Sequence, residues 1–435
     1  MRRGGFLGRL RRNERGNVLI IVAATLPLTI GSAAMTTDMI QWVVWKRELQ
    51  RQADSGALAG AFALTQSKTV SSTVTADLAK NADTNLTVTP TIENAPTSGS
   101  FAGNNRAVRV ILTTSHQLPF SSLFLSTPPT IRAEATAAII AQGNYCVVAL
   151  ERSATVGISI GGNATVNLGC GMIANSTGTN TIDAVNAYGS AAVTSTPIAA
   201  VGDLSPDSHF ATGTTFLPYS PPQADPYASL ADPNLATACT AANTHTNIKI
   251  QPSDPSTPLT PGCYKKGLEI LGTATLSPGT YYIDGGSNSS NPDGLKIGSG
   301  ASVTGTGVTI ILTSTNAATS PGTVATIDIN GAATVNLSAP LANATLGIPG
   351  VLFYQDRRAN DSGTEKINGN ASSSFQGAIY MPSRQVQFTG TAGMTTNCLK
   401  LVARRVIFSG NAAINNSCAG TGTEEIIGTR VRLVA

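Results

Sequence analysis

The sequence predicts a mainly β protein carried on one long N-terminal membrane helix, with a small α+β region directly after the helix. Three observations lead there: an uncharged apolar run near the N-terminus, a helical pattern that continues past it, and a Gly-containing motif that recurs through the second half. Composition agrees. Of 435 residues 12% are charged and 5% aromatic, with 43 Gly, whereas an ordinary soluble domain carries about 25% charge. That excludes a charge-rich helical protein and an aromatic-lined groove. The many β-branched residues also exclude a highly charged disordered chain.

The net charge of +4 is local. Removing Arg2, Arg3, Arg9, Arg11, Arg12 and Arg15 from 28 Lys and Arg, and Glu14 from 24 Asp and Glu, leaves 22 basic and 23 acidic residues. No basic surface for nucleic acid is expected from that balance.

Gly16 to Thr37 holds no charged residue. As a helix it is roughly 33 Å long, enough for a hydrocarbon core of about 30 Å. The arginines place the N-terminus in the cytoplasm and everything after Asp38 outside. A cleaved secretory signal is the competing reading, since Ser32-Ala33-Ala34 resembles a cleavage site. Against it, Ile40, Val43, Val44, Leu49, Ala53, Ala57, Leu58, Ala61 and Leu64 continue the helical spacing, which predicts one helix from roughly Glu14 to Leu64, kinked at Pro27. Gly56 and Gly60, with the stripe Ala53, Ala57 and Ala61, suit close packing against another helix or against the protein's own domain.

The segment Arg15-Gly-Asn-Val-Leu-Ile-Ile, then the span, then Gln52-Ala-Asp-Ser-Gly-Ala-Leu-Ala-Gly-Ala61, resembles the N-terminal region of TadE/TadG-like proteins of the Flp (tight adherence) pilus system. The likeness covers about the first 65 residues. Val108-Arg-Val-Ile-Leu, Leu118-Pro-Phe-Ser-Ser-Leu-Phe and Ile131-Arg-Ala-Glu-Ala-Thr-Ala look like the strand-containing region that follows the helix in such proteins. The resemblance implies an inner-membrane anchor, pilus-assembly partners and a structural role. Five residues after Gly16 stands Ile21, where cleaved pilin precursors carry Glu, so an unprocessed anchor is expected. The Asp-x-Ser-x-Ser motif of some TadG-like adhesion domains has its nearest counterpart in Asp203-Leu-Ser-Pro-Asp207, which does not match. Asn144 to Leu150, Gly350 to Arg357, Gln376 to Pro382 and Val431 to Val434 are similar to the C-terminal region found behind this anchor in alphaproteobacterial pilus-assembly proteins. That likeness implies no known activity.

Three regions follow: 1–66 for the basic tail and helix, 67–142 for a small pilin-like region, and 143–435 for a repeat-containing β-domain. In the last, apolar-x-Gly-x-Ala-x-apolar begins at Ile160, Ile270, Ile329, Phe388 (to Met394) and Phe408, with looser copies at Ala187, Ile297 and Ile367. A period of two puts the apolar ends, the Gly and the Ala on one face of a strand, with Thr, Asn and Ser outside. Unbroken copies lie 20 to 38 residues apart, a length that fits one coil of a right-handed parallel β-helix or related solenoid. A β-sandwich is the alternative. Between Asp203 and Cys263 fall 10 of the 23 prolines, so a long surface excursion is expected there.

Cys146, Cys170, Cys239, Cys263, Cys398 and Cys418 contain no C-x-x-C, which argues against zinc or a thioredoxin-type motif. In an exported domain disulfides are favoured. Fifteen pairings are open; the local set of sequence neighbours is the expectation.

No catalytic, cofactor-binding or metal-ligating residue is expected. Gly157-Ile-Ser-Ile-Gly161 matches G-x-S-x-G, yet strand-like sequence follows Ser159 where a nucleophile elbow needs a helix. His116, His209 and His245 have no second ligand at metal spacing. Asp284, Asp293, Asp328 and Asp356 are scattered, and the Asp356-Arg357-Arg358 cluster reads as solvated surface. The preferred function is a membrane-anchored structural component, partnered by the membrane and other pilus subunits. A surface adhesin or glycan-binding protein is the alternative, and a β-helix polysaccharide-degrading enzyme is third.

Overall fold

The computed structural model describes residues 14–83, 86–123, 125–390, 395–414 and 417–434. Arg2, Arg3, Arg9, Arg11 and Arg12, the side chain of Arg15, Phe124 and Met394 lie outside the described residues. The chain forms two compact units, one from residues up to Ile140 together with Val431 onward, the other from Ala141 to Arg430. The second unit is therefore an insertion in the first.

In the first unit, helix α1 (Glu14–Thr65) is 52 residues long with Pro27 inside it. Its apolar part is long enough to cross a membrane, and no residue of its most apolar window is buried. The hydroxyls of Thr25, Thr29 and Thr36 donate to the carbonyls of Ile21, Leu26 and Ser32, which satisfies them within the helix. From Trp45 onward one face is covered: Trp45, Leu49, Ala53, Ala57 and Ala61, each four residues apart, are buried. They share a core with Val74 of α2 (Val70–Lys80) and with an antiparallel meander. That meander is β1 (Thr89–Asn94), β2 (Ala107–Ser115) and residues 130–138 of β3 (Thr130–Ala149). The chain's last described residue returns to it, Val434 N–H donating to Thr136 O at 2.9 Å.

The regular structure of the second unit is mostly strand, in two sheets. Its pairings are parallel and form three ladders that close, barrel-like, around one apolar core. In the second ladder the successive partners are Ala187, Ile160, Phe408, Phe388, Ile367, Ile329, Ile297, Ile270 and Ile250. All eight motif starts thus occupy one column. They stack because each points into the shared core, where only an apolar side chain is stable.

The motif itself is not one strand. Ile160 ends the strand Ile158–Ile160, Gly161 and Gly162 turn the chain, and Thr165–Leu168 begins the next ladder. Gly162 has φ +68° and Gly189, one rung along, +77°, a left-handed conformation that favours glycine. A side chain at Gly189 would also meet Gly162 O at 2.9 Å. At these two positions the Gly marks a corner between faces, whereas Gly369 and Gly390 end strands and pair with each other.

The rungs are not in chain order. In the first ladder, residues 145–149 pair on one side with Gly171–Ala174, then Ile198–Ala200 and Phe216–Leu217. On the other side they meet 401–403, which come far later in the chain, and beyond these the ladder runs backwards through 377–381, Val351–Gln355, Val308–Thr313, Gly279–Asp284 and 262–265 to 244–246. Residues 203–243 connect the two ends. Along this strap Ser220 N–H donates to Ala200 O, Gln223 and Asn175 exchange two hydrogen bonds of 2.8 Å, Asp225 accepts from Tyr380, Ala231 O accepts from Tyr354, and Cys239 bonds to Cys263. The contacts follow the first ladder rung by rung. Ladder strands resume at Thr244, so the proline-rich excursion stops there and does not extend to Cys263 as the sequence suggested.

Candidate functional site

In the first unit the sequence candidates for packing lie on the two-part helix α1. Its first part exposes Val18, Ile20, Ile21, Val22, Leu26, Leu28 and Ile30. Its second part is fixed by small residues. A Cβ on Gly60 would lie 2.8 Å from Val108 Cγ1 and 2.9 Å from Val74 Cγ2, and one on Gly56 would lie 3.3 Å from Leu78 Cδ2. Ala53, Ala57 and Ala61 are fully buried in the same core. The small stripe therefore serves the protein's own domain. Ser55 donates to Asp77 at 2.8 Å and Gln50 donates to Glu134 O at 2.9 Å, closing the edges of this contact.

The second unit carries buried charge that the sequence did not disclose. Arg384 and Glu365 pair at 2.7 Å, 1% and 2% exposed. Glu365 also accepts from Gln355 Nε2 and Ile327 N–H, and Arg384 donates to Asn360 O and Val324 O. Glu151 accepts from Ser153, Arg404 and Arg405. Burial alone would raise its carboxyl, but the Ser153 N–H and hydroxyl and the Arg404 guanidinium outweigh it and hold the pKa at about 2.

Asp356 is fully buried, which overturns its reading as solvated surface. Its carboxylate accepts from the Thr313 hydroxyl at 2.7 Å and from Arg358 at 2.6 Å, and these donors replace the water it loses. The two neighbouring arginines grip the strap. Arg357 donates to the carbonyls of Tyr227, Ala228 and Leu230, and Arg358 to that of Pro233.

The other sequence candidates are dispersed. Ser159 sits in mid-strand between Ile407 and Asn186, and a strand follows the turn. The strand, turn and helix of a nucleophile elbow are not built there. His116 meets the edge of Trp45, His209 bonds Asp207 and Gly189 O, and His245 stacks on Tyr264. Asp284 accepts from Gly286 N–H and from Thr315, while Asp328 faces Lys366 at 3.9 Å; Asp293 Oδ2 lies near Gly286. The cysteines are joined as Cys146–Cys170, Cys239–Cys263 and Cys398–Cys418. An open cleft of about 510 Å³ at Pro278, Thr306, Pro340, Leu341, Leu346 and Gln376 has no acidic or basic side chain in its described lining.

Among curated proteins and among solved structures, nothing matches this chain. What does match is the segment that forms the two-part helix: residues 16–63 fit the family model of putative Flp pilus-assembly TadE/G-like proteins.

Proposed function

We propose that the protein is a membrane-anchored structural component of Flp/Tad-type pilus assembly. In this reading α1 spans the bacterial inner membrane once with its N-terminus in the cytoplasm, and the second unit stands outside as a parallel β-solenoid of the β-helix kind. The observation that carries it is the coincidence of the family match with α1: residues 16–63 begin in the exposed apolar half and end in the docked half. The eight-membered column of motif starts supports the solenoid, since stacking at one position per circuit is how such a fold buries its core.

A non-enzymatic role goes with this reading. The buried carboxylates Glu365, Asp356 and Glu151 are engaged by arginines and hydroxyls of the fold, an arrangement that holds turns in place. The glycan-binding alternative gains nothing from the cleft at Pro278 and Gln376.

The test is deletion of the gene followed by complementation. Loss of pili and surface adhesion, restored by the full chain but not by a chain lacking residues 14–44, is expected. Unchanged piliation and adhesion in the deletion strain would overturn the proposal.

A further inference from the structure

The first unit has features at its membrane end that a simple anchor does not need. Exposed apolar residues of α1 run from Val18 to Val44, roughly 39 Å of helix and about 9 Å more than a hydrocarbon core. The last turns therefore reach the headgroup layer. At that level Asp38, 3% exposed, accepts the Ser121 N–H, which ties the loop at Ser121 to the helix. In this loop Phe120, Leu123 and Leu125 are 41%, 76% and 41% exposed, an apolar tip that the Asp38–Ser121 contact holds to α1. Beside it Met39, Trp42, Val43 and Ile131 line an open groove of about 700 Å³, and Lys46, Arg47 and Arg132 rim it. Lys46 is fixed there by donating to Arg132 O. Glu134 is an acidic group at this rim, paired with Arg132.

We propose that this end of the unit seats on an anionic bilayer surface. The loop inserts Phe120, Leu123 and Leu125 at the acyl boundary. The groove takes one anionic phospholipid, its phosphate among Lys46, Arg47 and Arg132 and an acyl chain along Met39, Trp42 and Val43. Trp42 sits where an amphipathic indole is favoured. The inference rests on the reading of α1 as a membrane span.

Trp42 lines the groove and Trp45 is buried in the core, so with Trp45→Phe in the background the emission of Trp42, the tryptophan that remains, reports on the groove. The full chain is reconstituted in nanodiscs of phosphatidylcholine and phosphatidylglycerol, with acyl-chain bromine on one lipid at a time. Brominated phosphatidylglycerol is expected to quench more strongly, with the preference falling about fivefold for each cation removed by Lys46→Gln or Arg47→Gln and falling with added salt. Equal quenching by the two lipids, or a preference that survives both substitutions, overturns the groove assignment. Leu123→Trp adds an emitter in the loop. Blue-shifted, bromine-quenched emission is expected from it, and water-like emission overturns the insertion. Resistance of the wild-type chain to alkaline extraction separates the outcomes: if the chain stays in the membrane but shows no preference, this inference fails alone. If it is extracted, the anchor reading fails with it.

Discussion

Phe408 is the ladder partner of Ile160, so the latest rung of the second ladder lies directly on the earliest one. Phe408 is fully buried and meets Phe388 edge-on, with ring centroids 6.2 Å apart. It thus joins the two halves of the second unit.

Phe408→Ala is expected to destabilise the second unit by about 3–5 kcal/mol, the cost of truncating a buried aromatic ring. The neighbouring Ile407 is only partly buried, and Ile407→Ala is expected to cost far less. Denaturant unfolding of both variants checks the register, which fails if the two cost the same.

The strap is held by Arg357. Its guanidinium serves three strap carbonyls and pairs with Asp232 at 3.2 Å. Arg357→Ala is expected to release residues 226–233 locally and cost about 2–4 kcal/mol, since charged hydrogen bonds are each worth about 1.5–3 kcal/mol. Limited proteolysis checks this: early cleavage should fall within the strap while the ladders stay intact. Cleavage at the wild-type rate would contradict the clamp.

Gly60 packs more tightly against its own domain than Gly56 does. Gly60→Ala is expected to cost about 1–3 kcal/mol through overpacking against two branched side chains. Gly56→Ala faces the flexible end of Leu78 and should be milder. Thermal unfolding of the first unit's helix signal would distinguish them, and a reversed order would reject the packing described.

Acid should weaken the second unit through Glu151. Its folded pKa of about 2 lies below the ordinary carboxyl value, so the stabilisation is fully present above roughly pH 4.3 and is lost as pH falls towards 2. After allowance for solvent screening it is on the order of 2 kcal/mol. Glu151→Gln should flatten the stability profile across that window. An unchanged acid limb in the variant would assign the effect to other carboxyls.

The column of motif starts is legible in the sequence because Ile160, Ile270, Ile329 and Phe408 all face one core and so repeat one chemical choice. The order of the rungs is not legible. Nothing in the residues around Ile160 marks Phe408 as their neighbour; that follows from where the strap carries the chain. Buried charge is hidden for a related reason. Glu365 and Arg384 lie 19 positions apart and look like surface residues until the ladders bring them together. Asp356 looks solvated because its hydroxyl partner Thr313 is 43 positions upstream. In α1 the small stripe is readable, but its two candidate partners, another helix or its own sheet, share the same pattern of Ala and Gly.

The pairing of Val147–Ala149 with Leu401–Ala403 sets a timetable for a chain that emerges N-terminus first. Residues 145–200 can form their rungs early, yet one edge of that stack stays open through the emergence of some two hundred further residues. An open edge of buried-type strands, rich in Val, Ile and Ala, invites pairing with other chains. During biogenesis the hazard therefore sits at the first rungs made, and the much later strand Leu399–Phe408 removes it.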